Sequence, residues 1–137
     1  MVMRDEKYVD VDGIRTRYFE KGEGAPLVLV HGGNVGDEIA ASSALTWFRC
    51  FDGLAQWFHV YALDRLGQGR TDIPKSDQDY TMAAAVRHVH GFLQTKGLRD
   101  INLVGHSRGG YVVTRLTLEY PELIKSCVIV DSNTLAP

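Results

Sequence analysis

A serine set between glycines, Gly105-His106-Ser107-Arg108-Gly109, directly follows the apolar run Ile101 to Val104 and directly precedes a helical stretch. No other segment restricts the possible folds as much. The spacing fits G-x-S-x-G, with Gly110 next in line. A residue at a sharp strand-to-helix turn is forced into a strained backbone conformation that lifts its side chain above the sheet. Glycines are needed on both sides, where a Cβ would collide with neighbouring backbone. The helix that follows also presents its unpaired first N–H groups toward that hydroxyl. Ser107 is therefore the candidate nucleophile. The plainer reading, a glycine-rich turn with an incidental serine, leaves the strand on one side and the helix on the other without a purpose.

The rest of the chain supplies a sheet for such a turn. Pro26 to Val30, Phe58 to Leu63, Ile101 to Val104 and Cys127 to Val130 are continuous apolar runs, the mark of strands covered on both faces. Tyr8 to Asp12 and Arg15 to Glu20 read as a hairpin through Asp12-Gly13. A helix is expected from Thr81, its N-cap, with Met82, Val86, Val89 and Leu93 on one face and Gly97 at its end. A second follows Ser107 and stops before Pro121, and a third lies between Ala40 and Gln56. Strands alternating with helices imply right-handed crossovers. The expected fold is one α/β domain over residues 1–137, a mostly parallel sheet with helices on both faces.

Composition narrows the partners. Lys plus Arg number 15 against 17 for Asp plus Glu, so no basic face suits nucleic acid and no polybasic run suits a membrane. A small molecule is the expected partner. The charged stretch Met1 to Asp10 and the lack of any long apolar run favour the cytoplasm. Cys50 and Cys127 have no metal-ligand spacing and are expected as buried, reduced thiols. Neither G-x-G-x-x-G nor a P-loop follows any expected strand, so the reading calls for no metal and no cofactor.

Acyl-transfer chemistry at Ser107 requires amide donors facing the developing oxyanion. One is assigned to the backbone N–H of Arg108. The other is assigned to Gly33 or Asn34, in the run His31-Gly32-Gly33-Asn34 that leaves the first buried strand. His31 is expected to be a structural hydrogen-bonder in that turn. Asp64, opening Asp64-Arg65-Leu66-Gly67-Gln68-Gly69-Arg70-Thr71, is expected to tie its own turn together by accepting from backbone amides.

Taken together, PLVLVHGGN, VYALDRLGQGRTD, INLVGHSRGG and CVIVDS resemble the α/β-hydrolase fold family from its first strand through its sixth. Within it, the stretches around HGGN, YALDRLGQGRTD and YTMAAAVRHVHGFLQTKG are similar to meta-cleavage-product hydrolases, which break a carbon–carbon bond in ring-fission products. The resemblance implies a serine hydrolase acting on an ester or on a C–C bond next to a carbonyl. His106, Arg108 and Asn34 depart from the usual residues of that subgroup and leave esterases and lactonases open.

The family orders its triad Ser, then Asp or Glu, then His. The five histidines, His31, His59, His88, His90 and His106, all precede Ser107. His59 is expected within a strand, His88 toward solvent, His90 beside the buried stripe of its helix, and His106 turned away from the oxyanion hole. Asp131, ending the sixth strand, is the candidate triad acid, or else caps the turn into a lid. The chain is accordingly expected to be a partial hydrolase core, nearly inactive alone. Its sixth-strand edge is expected to associate with a second copy, to be completed by another polypeptide, or to be continued by the rest of a longer enzyme. The alternative is a non-catalytic binding or interaction module built on the same fold.

Overall fold

Asp12 and Gly13 both adopt left-handed backbone, at φ 50° and 85°, the combination a two-residue type I′ hairpin turn demands. They fold Lys7–Val11 (β1) back on Ile14–Lys21 (β2), with Val11 opposite Ile14. This computed structural model describes residues 3–35 and 42–134. Four further strands complete the sheet: Pro26–Val30 (β3), His59–Leu63 (β4), Ile101–His106 (β5) and Ile124–Val130 (β6). Their order is β1-β2-β4-β3-β5-β6. The β1–β2 hairpin runs antiparallel to β4, and β4, β3, β5 and β6 run parallel.

The continuous apolar runs are explained by the two covered faces. On β3, Val28 and Val30 point to one face and Leu27 and Leu29 to the other, and all four are buried. The first face carries two long helices, introduced below, and the second carries short elements among the described residues. Between Ala40 and Gln56 the expected helix is replaced by a 3-10 turn, Ala44–Trp47, and a single α-turn, Phe51–Leu54 (α1). Ala40 and Ala41 lie outside the described residues. Ser43 starts the 3-10 turn by accepting from the Leu45 amide at 3.2 Å. Ala44 and Phe51 cover Leu27 and Leu29.

Met82–Thr95 (α2) begins where Thr81 Oγ1 accepts from the Ala84 amide at 3.1 Å. Val86, Val89, Phe92 and Leu93 press onto the sheet. Arg108–Glu119 (α3) lies beside α2 on the same face, burying Val112, Val113 and Leu116.

Two expectations on this framework are corrected. His88 is buried, not solvent-facing, because α2 is covered on a second side by β2 and by the turn after β4. Its Nδ1 accepts from the Leu66 amide at 3.1 Å and its Nε2 meets Thr16 Oγ1 at 2.9 Å. Cys50 is exposed rather than buried and Cys127 is half-buried; both are free thiols. His90 stacks on the Tyr120 ring, 3.7 Å between centroids, at the margin of the apolar stripe. No helix among the described residues is long and apolar enough to cross a membrane.

Candidate active site

Ser107 has φ 53° and ψ −121°, a backbone conformation that costs an L-residue energy and persists only under surrounding constraint. The constraints are visible. The Ser107 amide donates to the Val130 carbonyl at 3.0 Å, binding the turn to the end of β6. The Ser107 carbonyl accepts from the Gly110 amide at 2.9 Å and from Ser132 Oγ at 2.7 Å.

The glycines are obligatory for closeness rather than for flexibility. A Cβ on Gly105 would lie 2.3 Å from the Gly109 carbonyl oxygen, and one on Gly109 would lie 2.1 Å from that of Val30. The elbow is thus jammed between β5, α3 and the end of β3. Gly32 closes it from the other side, since a Cβ there would come within 2.8 Å of Ser107 Cβ and 3.3 Å of its Oγ. The loop leaving β3 therefore runs directly against the serine.

Gly33, Asn34 and Arg108, the three residues assigned to the oxyanion hole, line one cavity of about 190 Å³. Arg108 is the first residue of α3, so its N–H has no acceptor within the helix. Gly33 reaches its place through left-handed backbone at φ 79°, with Ser42 packed where a side chain would stand.

The turn after β4 holds that loop in position. The Arg65 amide donates to His31 Nε2 at 3.0 Å, while His31 Nδ1–H donates to the Gly32 carbonyl at 2.7 Å. His31 is therefore a neutral imidazole whose burial drives its pKa down to about 3. Arg65 Nη2 donates to the Gly32 and Gly33 carbonyls at 3.0 and 2.9 Å, and Gln68 Nε2 to the Gly32 carbonyl at 3.2 Å. Sequence reasoning gave Arg65, Gln68 and Gly32 no separate role. The available signal was a charged pair, Asp64-Arg65, placed directly after a largely buried strand.

Asp64 behaves as expected and does more. Its carboxylate accepts from the Ala44 amide at 2.7 Å and the Arg70 amide at 2.8 Å, and it also pairs with Arg17 Nε at 2.7 Å. Each of these contacts is directed into the scaffold. His106 projects on the face of Val104 and meets the Trp47 ring edge-on at 6.4 Å. Among the described residues no histidine hydrogen-bonds the Ser107 hydroxyl. Asp131 directly follows β6 and is exposed, at φ 45°; its neighbour Ser132 hydrogen-bonds the Ser107 carbonyl.

The alpha/beta hydrolase fold family matches residues 25–137. This chain belongs to that family. Among its relatives, the 2-hydroxy-6-oxo-6-(2'-aminophenyl)hexa-2,4-dienoic acid hydrolase of Metapseudomonas resinovorans is 34% identical over 131 residues, covering 95% of this chain and 43% of the relative. A crystal structure of a serine hydrolase involved in carbazole degradation superposes with a TM-score of 0.84 at 32% identity, over 96% of this chain and 49% of that one. A meta-cleavage product hydrolase gives a TM-score of 0.77 at 29% identity, over 88% and 43%. The chain thus spans less than half the length of these family members.

Proposed function

We propose that this chain carries the nucleophilic half of a serine hydrolase acting on an ester or on a C–C bond next to a carbonyl. The observation that carries the reading is the Ser107 elbow: a non-glycine residue at φ 53° between glycines that admit no Cβ, beside a cavity lined by Gly33, Asn34 and Arg108. In this reading Ser107 Oγ attacks the carbonyl carbon and its proton passes to a base. The resulting oxyanion is held by the Arg108 amide and that of Gly33 or Asn34, donors worth about 3 kcal/mol each in comparable sites. Relatives named as hydrolases, one of them a serine hydrolase, support the assignment.

Asp131 is the proposed triad acid, placed at the end of the strand next to the elbow. The base is not among the five histidines of this sequence, since none that is described bonds the serine. By itself the chain should retain only what an oxyanion hole and binding supply, about 10³- to 10⁴-fold over water. The reaction is assigned to the cytoplasm, in keeping with two free thiols. The absence of an imidazole bonded to Ser107 among the described residues favours one second reading, a binding module that has kept the cavity and performs no turnover.

Fluorophosphonate labelling separates these readings. Slow modification mapping to Ser107 by mass spectrometry, lost in Ser107→Ala and on denaturation, supports the hydrolase elbow. Modification at other sites, or none at all, supports the binding module. Rapid modification of the isolated chain contradicts the missing base.

A further inference from the structure

The strand order β4-β3-β5 puts the loop that leaves β3 between two turns, with Arg65 just past β4 on one side and Ser107 directly past β5 on the other. On the β4 side the loop is held by its carbonyls. That of Gly32 accepts from His31 Nδ1 at 2.7 Å, from Arg65 Nη2 at 3.0 Å and from Gln68 Nε2 at 3.2 Å, and that of Gly33 accepts from the same Arg65 Nη2 at 2.9 Å. A single nitrogen thus grips two successive carbonyls. Gly33, at φ 79°, supplies the left-handed turn that brings both round to one donor. A trans peptide group is planar, with its C=O and N–H pointing in opposite directions. Carbonyls turned to the β4 side therefore aim the N–H groups of the following residues, Gly33 and Asn34, to the β5 side, where Ser107 stands. The two segments touch there, since a Cβ on Gly32 would lie 3.3 Å from Ser107 Oγ.

The guanidinium adds charge to this geometry. Arg65 is buried, and burial lowers its pKa only to about 10, so it is a cation at neutral pH. A hydrogen bond from a cation to a carbonyl is stronger than a neutral one and polarises the N–H of the same amide, which becomes a better donor. We infer that Arg65 is a positioning residue, which turns and polarises the Gly33 and Asn34 amides so that they face an oxyanion formed at Ser107. The oxyanion rests on the serine-hydrolase reading; the orientation of the two amides does not.

The test uses the full 137-residue chain, with Arg65→Met to remove charge and donors and Arg65→Lys to keep the charge. Fluorophosphonate labelling of Ser107 is resolved into the reagent's dissociation constant and the rate at saturation. Arg65→Met is expected to slow the saturated rate about tenfold at an unchanged dissociation constant, less than the roughly hundredfold that deleting a direct donor costs. Arg65→Lys should recover part of that rate. In ¹⁵N-labelled protein the Gly33 and Asn34 amide protons should move upfield in Arg65→Met, and less so in Arg65→Lys, against an otherwise native spectrum. A residue that only braces the fold would lower the melting temperature and leave the saturated rate of the folded chain at its wild-type value, a result that overturns the inference. Unmoved Gly33 and Asn34 protons overturn it equally. A wild-type chain that does not label at Ser107 refutes the hydrolase reading, and the amide shifts then decide alone whether Arg65 orients the pair. If Arg65→Met does not fold, Arg65→Lys carries the test through the same two readouts.

Discussion

At the scale of single residues, the two buried histidines are held neutral by what faces them. His31 Nε2 and His88 Nδ1 each accept from a backbone amide, of Arg65 and Leu66, so protonating either would set one N–H against another. Burial pushes His88 to about 4 and His31 to about 3, whereas both titrate near 6.5 once unfolded. Between those values the unfolded chain holds more protons than the folded one, so stability rises with pH across that window. Their contribution is full above pH 6.5 and is lost as pH falls toward 4. Urea unfolding at pH 7 and pH 4 should differ by on the order of 3 kcal/mol for each histidine. His88→Gln should flatten part of that slope, and an unchanged slope would contradict the assignment. Ser107 offers a second check, because its strained backbone suits glycine. Ser107→Gly should stabilise the chain by about 1 kcal/mol in urea titration while removing the hydroxyl.

At the scale of elements, the elbow is a packing device before it is a chemical one. Gly109→Ala would drive a methyl to 2.1 Å from the Val30 carbonyl oxygen, where only backbone could give way. It should cost about 3 kcal/mol or more and lower the melting temperature, whereas Gly53→Ala, on open surface, should not. This element was legible in the sequence because the strand, the glycines and the helix all point to one geometry. β3 and α2 were legible for related reasons, unbroken apolarity in one and a capped stripe in the other. The pieces between Ala40 and Gln56 were not, since a single turn is too short to express a period. His88 was misplaced because periodicity reports one buried face, and α2 has a second cover supplied by Thr16 and Leu66, remote in sequence. The roles of Arg65 and Gln68 were hidden for the same reason, as they depend on carbonyls of a loop more than thirty positions earlier.

At the scale of the whole molecule, the sheet is asymmetric. β1 borders it with Lys7 and Asp10, but β6 borders it with Val128, Ile129 and Val130, which are 51%, 44% and 39% exposed. An apolar edge strand is a template for pairing with another chain. The 137-residue chain should therefore sediment above its 15.3 kDa monomer mass, most simply as edge-paired copies, and Ile129→Lys should return it toward monomer. A monodisperse wild-type monomer with cooperative unfolding would contradict this. In the proposed site the Ser107 oxygen opens onto amide donors from two separate segments. A crystal structure of the phosphonylated chain measures it directly. The phosphoryl oxygen should lie about 3 Å from the Arg108 nitrogen and from that of Gly33 or Asn34. An adduct whose oxygen points to solvent, or one formed on another residue, would contradict the account.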